Sequence, residues 1–169
     1  MVLKSIEDLE RFEAATGHFE VIVDVEKDTK FVPAVIRGER VLFVAVGEVD
    51  AGVDFSNLDD DAVKVSDDRR SVELTLPAAQ FFDAHIDPGK SYVYDRDRGL
   101  IDRVASIFQD NPTSERELYR LSEQKLRAAA QSNSGLLGRS EQNTRRMLTG
   151  LMRALGFTNV TITFVEPER

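Results

Sequence analysis

The sequence predicts an α+β fold: a mixed, largely antiparallel sheet in the first half, packed against a C-terminal group of amphipathic helices, with one returning C-terminal strand. Three observations carry this. Apolar residues recur at every second position in several runs before Tyr94. They recur at three- and four-residue spacing after Leu100, and a last alternating run, Val160, Ile162 and Phe164, closes the chain. With 169 residues, 41% of them hydrophobic, the chain reads as a single domain over 1–169. Its β-rich part covers about 1–95, its helical part about 96–156, and its final strand about 158–165.

Ser5 with Asp8 forms a capping-box pattern, and Ile6, Leu9, Phe12 and Ala15 recur at helical spacing. These predict a short first helix that Gly17 ends. Phe19, Val21, Val23 and Val25 then alternate with Glu20, Ile22, Asp24 and Glu26, which is strand spacing. Arg40 to Phe55 is the longest strand candidate, with Val41, Phe43, Ala45, Val49, Ala51, Val53 and Phe55 on one face. The other face passes from Leu42, Val44 and Val46 to Glu48, Asp50 and Asp54. This strand is therefore expected to be covered on both faces early and on one face later. Gly47 or Gly52 is expected to mark a bend or bulge. A hairpin follows: Ala62 to Val65, a turn through Asp67, Asp68 and Arg69, then Val72, Leu74 and Leu76, ended by Pro77. Ile86-Asp87-Pro88-Gly89 reads as a turn, and Tyr92 with Tyr94 closes the β half.

The helical half is expected to begin at Leu100, with Ile101, Val104, Ala105 and Phe108 in one stripe stopped by Asp110-Asn111-Pro112. Ser114 with Glu117 is a second capping box, opening a helix through Leu118, Leu121, Leu126 and Ala129. Ser132-Asn133-Ser134-Gly135 breaks it. A third helix sets Leu137, Thr144, Met147, Leu148, Leu151 and Leu155 on one side, with Gly156 as its C-terminal cap. Where the halves meet, Asp95, Asp97, Arg98 and Gly99 are assigned to the turn and cap. Gly99 lies where β geometry gives way to helix, and Asp97 lies within reach of backbone N–H groups that have no intrahelical partner. Arg96 or Arg98 is expected to pair with an acid of the β half.

Charge is distributed unevenly. Up to Asp95 there are 10 Lys and Arg against 21 Asp and Glu, a balance of −11; from Arg96 onward there are 12 against 9, a balance of +3. So acidic a half repels nucleic acid and anionic membrane. With no Cys, the chain has no disulfide, thiol nucleophile or thiolate metal site. Nothing reads as a secretory leader, and the longest mostly apolar run, Val41 to Val46, is a buried strand too short to cross a bilayer.

The candidate chemistry is thin. Asp24, Glu26 and Asp28 match the first ligand positions of a calcium loop, but Thr29 stands where such a loop needs Gly and Val35 where it needs Glu. Asp59, Asp60 and Asp61 are successive, and successive side chains rarely converge on one ion. His18 and His85 are the two imidazoles, and neither has the i, i+4 partner of a helical metal site. Gly135-Leu136-Leu137-Gly138 has the glycines of an RNA-clamping loop, yet leucines occupy the places that would lie against phosphate. No metal and no cofactor are expected. The one positive feature is Arg139, Arg146 and Arg153, seven residues apart on one stripe of the last helix with Arg145 beside them. Such a ridge suits an anionic partner, with self-association as one form of it.

Several segments resemble a bacterial family, the domain of unknown function 4230. They are residues 20–28, 38–47 and 49–55, Ser91-Tyr92-Val93-Tyr94 with Asp97-Arg98-Gly99, and Glu141-Gln142-Asn143-Thr144 through Gly150 to Leu155-Gly156-Phe157. The resemblance implies a membrane-anchored, extracytoplasmic protein whose anchor precedes the domain. Here Met1 leads almost directly into the first predicted helix, and the reading is that the anchor has been excised, leaving a soluble part. The resemblance implies no activity and no catalytic residue. The expected function is a non-enzymatic, membrane-tethered interaction domain at the cell envelope, with Arg139, Arg146 and Arg153 facing a protein partner. The alternative is a carboxylate-dependent hydrolase or transferase with a site near Asp95 and Asp97.

Overall fold

A computed structural model describes residues 6, 10–24, 41–95, 99–101, 112–132 and 135–166. Its elements, in chain order, are β1 (Arg11–Asp24), β2 (Val41–Asp54), a 3-10 turn (Asp60–Ala62), β3 (Val63–Val65), β4 (Ser71–Pro77), β5 (Gln80–Ile86), β6 (Tyr92–Asp95), β7 (Gly99–Ile101), α1 (Pro112–Ser132), α2 (Gly135–Ala154) and β8 (Asn159–Val165). One sheet has the order β1-β2-β6-β7, with β5 also paired to β2, and the other has the order β3-β4-β8. The β2–β6, β6–β7 and β3–β4 pairs are antiparallel, whereas β8 returns parallel to β4, with Ser71 opposite Asn159 and Pro77 opposite Val165. This is the expected α+β architecture, with strands first, two helices after them and a returning strand.

The chain divides into two compact units, and each is discontinuous in sequence. One takes residues 1–16, 50–82 and 134–169; the other takes 17–49 and 83–133. In the first, Phe55 of the loop after β2, Leu74 and Leu76 of β4, Leu148 and Met152 of α2, and Ile162 of β8 form one buried cluster with Ile6 and Phe157. In the second, Phe43, Ala45 and Val49 of β2, Val93 of β6, and Leu118, Leu126 and Ala130 of α1 are buried. There the Phe43 ring meets Tyr119 edge-on at 6.3 Å. Each large apolar side chain so buried stabilises the fold by about 1.5–3 kcal/mol.

Three local readings change. The helical spacing of Ile6, Leu9, Phe12 and Ala15 continues into strand: Ile6 is helical, but Phe12 and Ala15 belong to β1, and Gly17 lies inside that strand. Pairing overrides the local pattern there, and the Phe55 N–H reaches the Glu10 carbonyl at 2.6 Å. Second, Gly99, Leu100 and Ile101 form β7 against β6, with Asp95 opposite Gly99, so the helical half does not begin at Leu100. Asp97 and Arg98 lie outside the described residues, as do Val104, Ala105 and Phe108. Third, Pro112 opens α1; a first-turn proline loses only an N–H that has no intrahelical partner. Gly47 and Gly52 both lie within β2. Both glycines mark close approaches, since a Cβ at Gly47 would strike the His85 carbonyl, and one at Gly52 the Phe12 carbonyl.

The end of α2 follows the sequence closely. Gly156 has φ +99°, its N–H bonds Arg153 O at 3.0 Å, and the Phe157 N–H bonds Met152 O at 3.1 Å. This is a Schellman motif, and its customary apolar contact is made by Met152 and Phe157, both in the buried cluster. Leu155, expected in the stripe of the third helix, falls just outside the helix and is 53% exposed.

Candidate functional site

Helix α2 has two faces with different tasks. Leu136, Ser140, Thr144, Leu148 and Met152 are buried at four-residue spacing. The Thr144 hydroxyl donates to Ser140 O at 2.9 Å, while Ser140 Oγ, fully buried, has no hydrogen-bond partner among the described residues. Ser140→Ala is therefore expected to be neutral or to raise stability by up to about 1 kcal/mol in urea denaturation, because it removes an unsatisfied hydroxyl. A loss larger than that would show the hydroxyl to be satisfied.

The other face carries Arg139, Arg146 and Arg153, all exposed. Seven residues advance a helix by about 10 Å, so the three guanidinium stems form a row about 20 Å long. Arg139 Nε donates to Gly135 O at 3.3 Å, and Arg146 donates to Asn143 Oδ1. Asn143 in turn donates to Ala14 O of β1 at 2.6 Å. Among the described residues none of the three arginines pairs with a carboxylate. Arg145, expected beside them, is committed elsewhere: it donates to the Ile162 carbonyl of β8 and lies over the Phe164 ring at 5.2 Å.

A second feature belongs to the other unit. His18 of β1, Val46, Gly47 and Glu48 of β2, His85 and Ile86 of β5, and the turn residues Asp87, Pro88 and Lys90 line a cleft of about 430 Å³. In the sequence neither imidazole has a neighbour at metal-site spacing, and the fold brings both to one cleft. Ser91, buried, ties this turn to β2: its hydroxyl accepts from Val46 N at 3.0 Å and donates to Asp87 O at 2.8 Å. The Asp87 side chain takes the Gly89 N–H at 2.9 Å and the Lys90 ammonium at 2.8 Å. That ammonium, above all, holds the Asp87 carboxyl below the usual carboxylate range. Asp87 in return raises the Lys90 ammonium above its ordinary value, with a smaller push from Glu48.

The remaining candidates are placed plainly. Asp24 ends β1, and Glu26 and Asp28 lie outside the described residues. Asp59 precedes the 3-10 turn, and its carbonyl accepts the Ala62 N–H at 2.9 Å. Gly135 to Gly138 form the first turn of α2, anchored by the buried Leu136. Among the described residues no three His, Asp or Glu side chains stand close enough to hold a metal ion, and no helix is long and apolar enough to cross a membrane.

No match is found among curated proteins or among solved structures. The family model described as protein of unknown function (DUF4230) matches residues 4–162. Coverage of nearly the whole chain, by both units and both helices, settles membership: this chain belongs to the DUF4230 family.

Proposed function

We propose that this domain is a non-enzymatic interaction module, held at the bacterial cell envelope by a membrane tether, and that the exposed face of α2 binds an acidic protein surface. The observation that carries this reading is the row of Arg139, Arg146 and Arg153. The row has no carboxylate partner among the described residues and projects from a helix whose opposite face is fully used by the core. The tether and the envelope location rest on the family resemblance alone.

Single exposed ion pairs contribute about 1 kcal/mol or less, so the three arginines would have to act together, and their action would be screened within about 10 Å at 0.1 M salt. The test compares wild type with the triple variant Arg139→Gln, Arg146→Gln, Arg153→Gln, each immobilised and exposed to solubilised envelope proteins. The variant is expected to melt within a few degrees of wild type, since a solvated face adds little stability. Wild type is expected to retain a defined protein set at low salt and release it at high salt; the variant should retain none of it. Retention of the same set by the variant would reduce the ridge to ordinary surface. Retention of this chain itself would make a second copy the partner.

A further inference from the structure

The cleft beside β5 goes beyond that reading, because it lies on other elements and other chemistry. Its volume, about 430 Å³, falls in the range of small-ligand sites. Its frame is fixed by backbone: the Asp87 N–H bonds Val46 O at 2.8 Å, Ser91 bridges the same two segments, and the His85 carbonyl presses on Gly47 so closely that no side chain fits there. Asp87 and Lys90 satisfy one another at its rim.

Three polar side chains on the cleft are left over. The Glu48 carboxylate, on a side chain 47% exposed, accepts no hydrogen bond from any described residue; His18 Nδ1 stands 3.6 Å from its Oε2, too long for one. The His85 imidazole likewise has no hydrogen-bond partner among the described residues. Asp87 and Lys90 cancel in charge, so Glu48 leaves the cleft with one net negative charge when the imidazoles are neutral. A carboxylate only accepts hydrogen bonds, and a neutral imidazole offers one acceptor nitrogen. The group that answers all three is a cation rich in donors.

We propose that this cleft binds an ammonium or guanidinium group, with the Glu48 carboxylate as its counter-charge and His18 and His85 as flanking acceptors. A free small amine and the Lys or Arg side chain of a protein share this chemistry. An anion, by contrast, would meet the like charge of Glu48, and Lys90, the one cationic side chain on the cleft, is already paired with Asp87.

The chain has two histidines, so imidazole carbon–proton NMR signals give two resolved reporters of the site. Agmatine is expected to shift both signals saturably, and succinate neither. Glu48→Gln, nearly isosteric and on the surface, is expected to weaken agmatine about tenfold or more, the usual worth of a hydrogen bond to a charged group. Lys90→Gln removes a like charge from the rim and is expected to tighten agmatine several-fold, an effect of opposite sign that a merely damaged fold would not produce. Comparing agmatine with the tripeptide Gly-Arg-Gly assigns the source: tighter peptide binding means a protein-borne side chain, and tighter agmatine binding a free amine. The proposal fails if agmatine gives no saturable shift, or if Glu48→Gln leaves its affinity unchanged. It fails equally if succinate binds and Lys90→Gln weakens it.

Discussion

Gly52→Ala is expected to lower stability by about 3 kcal/mol or more, at the upper end of what overpacking costs. In thermal unfolding this is a fall of roughly 6–12 °C for a domain of this size. The cause lies in what surrounds Gly52 within β2. A Cβ there would strike the Phe12 carbonyl, which is backbone of β1, and would come within 2.5 Å of the Phe82 ring. Phe82 has little room to yield, because Arg11 lies over its ring at 5.3 Å and is itself paired to Asp54 at 3.5 Å. The matched control is Gly150→Ala in α2, where a Cβ meets nothing within 4 Å. That change should stabilise by about 0.5–1 kcal/mol, through helix propensity alone. Equal effects from the two substitutions would mean that β1 does not approach β2 as described.

The second large effect is expected at Leu148. It is fully buried in the cluster formed by α2, β4 and β8, and Leu148→Ala should cost about 2–5 kcal/mol by leaving a cavity. Leu155→Ala, seven residues on and in the same predicted stripe, should change stability by no more than about 0.5 kcal/mol. Urea denaturation of the two variants separates helical periodicity from the real end of the helix. A loss at Leu155 comparable to that at Leu148 would show the helix continuing past Ala154.

That contrast shows where the sequence was legible. Strong periodicity with a clear stop was readable: β4 and β8 alternate cleanly, and α2 ends at a glycine that must adopt positive φ. The arginine row was readable for the same reason, since a seven-residue interval maps onto one helix face. β1 was misread at its start because Phe12 and Ala15 fit a helix when viewed alone, and only the pairing beside Phe55 decides otherwise. β5 was missed because Asp83 and His85 fall on its wet face, where Asp83 pairs with Arg127 at 3.0 Å; the buried Ala84 is too small to stand out. The cleft had no signal at all. His18, Glu48 and His85 come from three strands far apart in the chain, and no spacing rule encodes a meeting that sheet pairing alone creates.

The parallel pairing of β4 with β8 has a consequence for how the protein is made. Ser71 and Asn159 are register partners separated by 88 positions, so during synthesis the edge of β4 waits for a partner made long after it. Until then Leu74 and Leu76 lack one wall, supplied by Ile162, and the nascent chain carries an unpaired strand edge of the kind that recruits other chains. This core closes only once residues 159–165 have been made, and any chain that stops short of them keeps an open, adhesive flank.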